Sequence, residues 1–213
     1  MKSSIINLFT CNKQTKVNFS FIISVFVVLI LSLILSAVFK VIFQRNGFIE
    51  LGPGFSNNND QFRNFMLLII LSPFLEELCF RLPLVFKKKS ISLALVSMLF
   101  FIILQENIRN ADLLNYKSLL VLIGLVPLYF VLKRALSDEV MIFLSTHKIK
   151  VYYISIFTFA FLHFDFVTPI YLAPFIVLPQ IVVGVILTFV RLKFSIFVAI
   201  ILHMLFNTPG LFS

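Results

Sequence analysis

Six polar side chains interrupt stretches of the chain that are otherwise almost wholly apolar, and their types are those found in hydrolytic enzymes. They are Glu76, Glu77, Arg81, His163, His203 and Asn207. An ionisable group in an apolar segment is costly to keep there, so it usually marks a functional site. A buried carboxylate becomes a stronger base, an imidazole transfers protons near neutral pH, and hydrogen-bond donors stabilise an oxyanion. The set therefore predicts a site that activates water for hydrolysis.

The spacing of these groups assigns them to helix faces. Glu77 and Arg81 are four residues apart, so on a helix they share a face and can form an ion pair. Glu76 is rotated by about 100° from Glu77 and can face a different cavity. His203 and Asn207 repeat the four-residue spacing and place two hydrogen-bonding groups on one stripe.

The positions of three of these residues also agree in depth. Glu76, His163 and His203 each lie about 10–13 residues from a basic residue that ends an apolar run, or roughly 15–20 Å along a helix. This distance is close to the middle of a bilayer with a hydrocarbon core about 30 Å thick. The sequence therefore predicts that three helices bring one glutamate and two histidines to the same level.

The composition explains why a membrane is the expected environment. Of the 213 residues, 60% are hydrophobic and only 13% are charged, whereas soluble domains have about 25% charged residues. These values exclude a soluble globular domain, a disordered chain and a disulfide-rich secreted scaffold. The basic excess, 18 Lys and Arg against nine Asp and Glu, lies at the ends of the apolar runs. This placement indicates contact with membrane lipids rather than nucleic acid.

Seven apolar runs predict an all-α fold, a polytopic bundle of about seven transmembrane helices. The runs cover residues 17–43, 65–86, 91–105, 119–132, 151–167, 170–190 and 194–206. We expect residues 1–64 to form an N-terminal tail, the first transmembrane helix and a polar loop, and residues 65–213 to form the core. Between the runs, Ser137 could cap a short amphipathic helix on the membrane surface, although a plain loop remains the alternative.

The basic residues also predict the orientation. Most of them fall in the segments that are cytoplasmic if the N-terminus is inside, among them the cluster at Lys87, Lys88 and Lys89. By the positive-inside rule we therefore expect a cytoplasmic N-terminus and, with seven spans, a C-terminus on the opposite side. The expected location is a bacterial cell membrane, in which the chain is a multi-pass integral protein.

Three short motifs follow one another on three predicted helices, each with key positions four residues apart: Glu76-Glu77-x-x-x-Arg81, Phe159-x-x-x-His163 and His203-x-x-x-Asn207. Together, and in this order, they resemble the CAAX protease and bacteriocin-processing family of intramembrane proteases, to which type II CAAX prenyl endopeptidases belong. The resemblance extends over roughly residues 65–207, so it covers the predicted core and leaves out the first helix and its loop.

The resemblance implies a role for each polar residue. Glu76 would act with His163 to activate a water molecule that attacks a peptide carbonyl. His203 and Asn207 would stabilise the oxyanion, and Glu77 and Arg81 would hold the helix in place. The implied activity is that of an endopeptidase that reaches a peptide or protein substrate within or near the membrane.

Other functions remain open from the residues alone. We expect no cofactor, but Glu76, His163 and His203 could form a zinc site with an open position. No His-Glu-x-x-His motif supports such a zinc-dependent version of the protease. A transporter or a non-catalytic membrane protein is a further alternative, since buried glutamate and histidine also occur in proton relays.

Overall fold

The computed structural model describes residues 65–109, 116–164 and 170–208, together with the isolated helical residues Val27, Ile30 and Ile34. The first predicted helix, at residues 17–43, therefore falls almost entirely outside the described residues, as does the polar loop at residues 44–64. All regular structure in the described ranges is helical, so the predicted all-α class is confirmed. The predicted division of the chain after residue 64 stays a prediction.

The described ranges contain seven α-helices, six from the apolar runs and one from the segment between two runs. They are α1 (Ser72–Phe80), α2 (Lys88–Arg109), α3 (Tyr116–Ala135), α4 (Asp138–Thr146), α5 (Lys148–Phe161), α6 (Ala173–Lys193) and α7 (Ile196–Asn207). A π-helix (Phe65–Leu71) precedes α1, and short 3₁₀ helices follow α1 (Leu82–Val85) and precede α6 (Ile170–Leu172).

The run at residues 65–86, predicted as one helix, consists of three helical segments. Pro73 lies in the first turn of α1, just after the π-helix, and Pro83 lies in the 3₁₀ helix that follows. Proline has no N–H to donate and clashes with the preceding turn, which favours a helix start at Pro73 and a break at Pro83. The nine-residue α1 between them carries both Glu76 and Glu77.

Helix α5 ends before the histidine that was predicted to lie on it. The helix stops at Phe161, and His163 lies in the turn that follows, so its placement within a helix is wrong by two residues. The cause is a local exchange of hydrogen bonds. The His163 amide donates to the Ala160 carbonyl at 3.2 Å, while the His163 ring nitrogen Nδ1 contacts the Phe159 carbonyl oxygen at 2.9 Å, which a continuing helix would use.

The segment between α3 and α5 is a helix rather than a loop. The Ser137 hydroxyl accepts a hydrogen bond from the Val140 amide at 3.3 Å, which is the predicted N-cap of α4. None of the nine residues of α4 is buried. Within the described ranges no single helix is long and apolar enough to cross a membrane, whereas α4 and α5 together meet that test across an 82° bend.

The helices that carry the polar residues pack on one another. Helix α7 packs against α1 and α6, and α5 packs against α6. Their shared core contains Leu75 and Phe80 of α1, Phe159 of α5, and Val183 and Leu187 of α6. Large apolar side chains elsewhere, as along α3, are exposed in the described ranges, as a lipid-facing surface requires.

Candidate active site

Two histidine side chains, one from α7 and one just after α5, meet at a carboxylate oxygen of Glu76 on α1. The Nε2 atom of His163 lies 3.7 Å from Glu76 Oε2, and the Nε2 atom of His203 lies 3.7 Å from the same oxygen. This convergence is what the matched positions along the chain predict. Glu76 and His203 are buried, while the His163 side chain is 30% exposed, so the cluster is open on the His163 side.

The second ring nitrogen of each histidine is held by a fixed partner. His163 Nδ1 lies 2.9 Å from the Phe159 carbonyl oxygen, which can only accept, so Nδ1 carries the proton and donates it. His203 Nδ1 lies 3.0 Å from Glu77 Oε1. Both rings are thereby oriented with Nε2 toward Glu76.

The two oxygens of Glu76 have different surroundings. The Ser72 hydroxyl, one helical turn earlier on α1, donates a hydrogen bond to Glu76 Oε1. Glu76 Oε2 is buried and has no hydrogen-bond partner in the described part of the chain. Ser72 therefore fixes the rotation of the carboxylate, and the oxygen that faces both imidazoles is available to accept a proton.

Glu77 and Arg81 form the fully buried ion pair that their spacing predicts. Arg81 Nε lies 3.6 Å from Glu77 Oε1, and neither side chain is exposed. The guanidinium carbon of Arg81 lies 3.9 Å above the centre of the Phe159 ring, within range of a favourable cation–π interaction. The guanidinium nitrogens make no hydrogen bond within the described residues, so the charge is offset there by the nearby carboxylates of Glu77 and Glu76 and by the aromatic rings.

Phe159 joins the ion pair to the histidines. Its side chain is fully buried, and its ring lies edge-on to the rings of His163 and His203, at centroid distances of 4.8 and 5.5 Å. The sequence marked Phe159 only as a motif position. Its spacing from His163 did indicate a shared helix face, but its contacts with α1 and α7 depend on how the helices pack.

Two side chains from other helices satisfy the backbone at the end of α1. Ser155 of α5 donates from its hydroxyl to the Phe80 carbonyl oxygen at 2.6 Å, and Arg191 of α6 donates from Nε to the Arg81 carbonyl oxygen at 3.2 Å. The last carbonyls of a helix have no partner within the helix, so these bonds complete its end. They also tie α1 to the two helices beside it.

Asn207 is the last residue of α7, one helical turn after His203. Its side chain is partly buried, and the spacing places it on the same face of α7 as His203. The structure therefore places Asn207 at the end of α7, one turn beyond His203. Its predicted role in the chemistry stays a prediction.

Replacing one partner of the buried ion pair is expected to destabilise the fold. Glu77→Gln or Arg81→Ala leaves a buried charge without its partner, which costs roughly 3–5 kcal/mol. Thermal unfolding in detergent should show a clear loss of stability for both variants. Glu139→Gln, the same change at an exposed position on α4, is the control and should unfold like the wild type. Unchanged unfolding of both pair variants would contradict a structural role for the pair.

Glu76, His163 and His203 are also the residues predicted as possible zinc ligands. A ligand set for zinc has its donor atoms about 2.0–2.3 Å from one common point. Among the described residues, no group of three or more His, Cys, Asp or Glu side chains is arranged to hold a metal ion. This finding gives no support to the zinc-dependent version, in which Glu76, His163 and His203 would be ligands around an open position, and that version stays a prediction.

Comparison with known proteins identifies a family that the chain matches. A protein-family model described as Type II CAAX prenyl endopeptidase, Rce1-like, matches residues 58–209. The match covers well over half of the chain and includes all the helices from α1 to α7. No curated protein and no solved structure matches the chain.

Proposed function

Since the chain belongs to the Rce1-like type II CAAX prenyl endopeptidase family, we propose that it hydrolyses peptide bonds with a water molecule activated between Glu76 and His163. The family consists of membrane-integral proteases, so a CAAX-type endopeptidase activity in general follows from membership. The assignment to particular residues is supported by one observation above all: both imidazole Nε2 atoms lie 3.7 Å from Glu76 Oε2.

In the proposed first step, Glu76 acts as the general base. A water molecule near Oε2 gives a proton to the carboxylate while its oxygen attacks the carbonyl carbon of the substrate. Ser72 supports this role because its hydrogen bond to Oε1 leaves Oε2 as the free acceptor. The water oxygen becomes part of the new carboxylate, and the carbonyl oxygen becomes an oxyanion.

In the second step, His163 protonates the leaving amine. Its Nδ1–H is committed to the Phe159 carbonyl, so the neutral ring has its lone pair on Nε2, facing Glu76. Nε2 can take the proton from Glu76 and pass it to the amine nitrogen as the C–N bond breaks. The partial exposure of His163 suits a group that must meet the substrate.

His203 and Asn207 are proposed to stabilise the oxyanion. His203 already donates from Nδ1 to Glu77, so donation from Nε2 as well requires a proton on both ring nitrogens. A positive charge on His203 would add to that of Arg81 in offsetting the two buried carboxylates, Glu76 and Glu77. Glu77 would then both pair with Arg81 and orient His203, a contact between helices that sequence spacing does not indicate.

The proposal extends to location and substrate. Lys88 Nζ lies 2.9 Å from Asp138 Oδ1, and the Phe86 and Tyr152 rings stack 6.0 Å apart. These two contacts bring three basic segments to one end of the described structure: residues 87–89, 133–134 and 148–150. We assign this end to the cytoplasmic side of a bacterial cell membrane. The substrate is a peptide or protein that reaches the cluster from within or near the bilayer.

Cleavage of a fluorogenic peptide library by the purified protein, with products identified by mass, tests the proposed function. Cleavage that is lost in site variants and retained in distant variants is the expected result. A purified, folded protein that cleaves no peptide in any lipid environment would favour the transporter or the non-catalytic alternative.

The proposed mechanism uses no metal, which leads to a separate prediction. Chelation should leave the activity of the purified enzyme unchanged, and elemental analysis should find no stoichiometric zinc. The control is a zinc protease treated in the same chelator. Zinc that is lost together with the activity, and restores it when added back, would instead support the zinc-dependent version.

A further inference from the structure

Helix α4 lies uncovered on the outside of the described structure. It turns by 82° from α5, it contains no buried residue, and the Phe143 side chain is 61% exposed. Helix α5 leads from this bend to His163 in the candidate site. A helix at nearly a right angle to α5 runs across the end of the bundle rather than along it.

The sequence of α4 is amphipathic at 100° per residue. The apolar arc consists of Val140, Met141, Phe143 and Leu144. The polar arc consists of Asp138, Glu139, Ser145 and Thr146, and it also includes the apolar Ile142. Phe143 and Val140 are exposed, whereas Met141 and Leu144 are partly covered. An exposed apolar edge therefore runs along one side of α4, beside the part that contacts the protein.

Basic residues surround this helix. Two precede it and two follow it: Lys133, Arg134, Lys148 and Lys150. The ion pair between Lys88 and Asp138 adds the basic cluster at residues 87–89 to the same end of the molecule. Both acidic residues of α4, Asp138 and Glu139, are exposed, and Asp138 is the one that forms this ion pair.

We propose that α4 lies in the surface of the bilayer, with Phe143 inserted among the acyl chains and the surrounding basic residues bound to anionic lipid headgroups. An apolar edge with flanking lysines and arginines is the pattern of an interfacial helix. The charge commits the occupant to a bilayer that contains anionic lipid. This binding surface is separate from the proteolytic site and holds whether or not the proposed chemistry is right.

The chain contains no tryptophan, so a single tryptophan can report on the position of α4. Phe143→Trp is prepared in vesicles of phosphatidylcholine and phosphatidylglycerol, with bromine on the acyl chains of one lipid at a time. Bromine is expected to quench this tryptophan, and more strongly when phosphatidylglycerol carries it. Ser145→Trp, on the polar arc, is the matched control and should instead be quenched by aqueous iodide.

Charge variants in the Phe143→Trp background test the lipid preference. Replacing Lys133, Arg134, Lys148 and Lys150 with glutamine should lower the preference for brominated phosphatidylglycerol, with a change of up to about fivefold for each charge removed. Glu139→Gln should increase it. Equal bromine quenching at positions 143 and 145, or no preference between the two lipids, would overturn the proposal. Iodide quenching at position 143 that falls as the protein concentration rises would also overturn the proposal, because a second copy of the chain would then cover α4.

Discussion

Glu76→Gln is expected to abolish peptide cleavage while the protein keeps its fold. The amide has nearly the shape of the carboxylate and can still accept the hydrogen bond from Ser72 at Oε1. It cannot take a proton from water, so the step that generates the nucleophile is lost. The expected activity on a fluorogenic peptide is at background, and the thermal unfolding temperature in detergent is expected to stay near that of the wild type.

Two further variants show whether such a loss is specific. Glu139→Gln makes the same change at an exposed position on α4 and should leave cleavage unchanged. Ser72→Ala removes the donor that orients Glu76 and should lower cleavage without abolishing it, since the carboxylate remains. A stable and fully active Glu76→Gln protein would rule out Glu76 as the base and leave it as a buried partner of the histidines.

The convergence of the site was predictable because the membrane constrains the helices. An ionisable side chain in an apolar run has to meet others at a similar depth, and Glu76, His163 and His203 do meet. The four-residue spacing likewise predicted that Glu77 and Arg81 pair, since helical geometry alone decides which side chains share a face. Periodicity and depth are both properties of single helices, which sequence reports directly.

What the sequence did not predict depends on contacts between helices and on how helices end. The Glu77–His203 contact joins α1 to α7, and no spacing along the chain indicates it. The end of α5 at Phe161 depends on the His163 ring replacing a backbone donor at the Phe159 carbonyl, although the run stays apolar up to residue 162. Such an exchange is decided by local hydrogen-bond geometry, which hydropathy does not report.

The proposed oxyanion site makes a second large effect testable. Removing one donor from such a site lowers the rate by about 10²–10³, while the base and the proton shuttle remain. Asn207→Ala should therefore show slow but measurable cleavage with little change in substrate binding. Thr208→Ala is the control, because the Thr208 hydroxyl donates to the Met204 carbonyl of its own helix at 3.1 Å. It should cleave like the wild type.

Combining the changes distinguishes two donors on one oxygen from two independent effects. His203 lies one turn before Asn207, so both would act on the same oxyanion, and groups that act as a unit lose less together than the product of their separate losses. His203→Ala also leaves Glu77 without its 3.0 Å contact, so its rate is interpreted only beside its unfolding temperature. The singles and the double variant are measured on one fluorogenic peptide. Strictly multiplicative losses, or an Asn207→Ala protein as active as the wild type, would count against a shared oxyanion site and leave Asn207 as a packing residue.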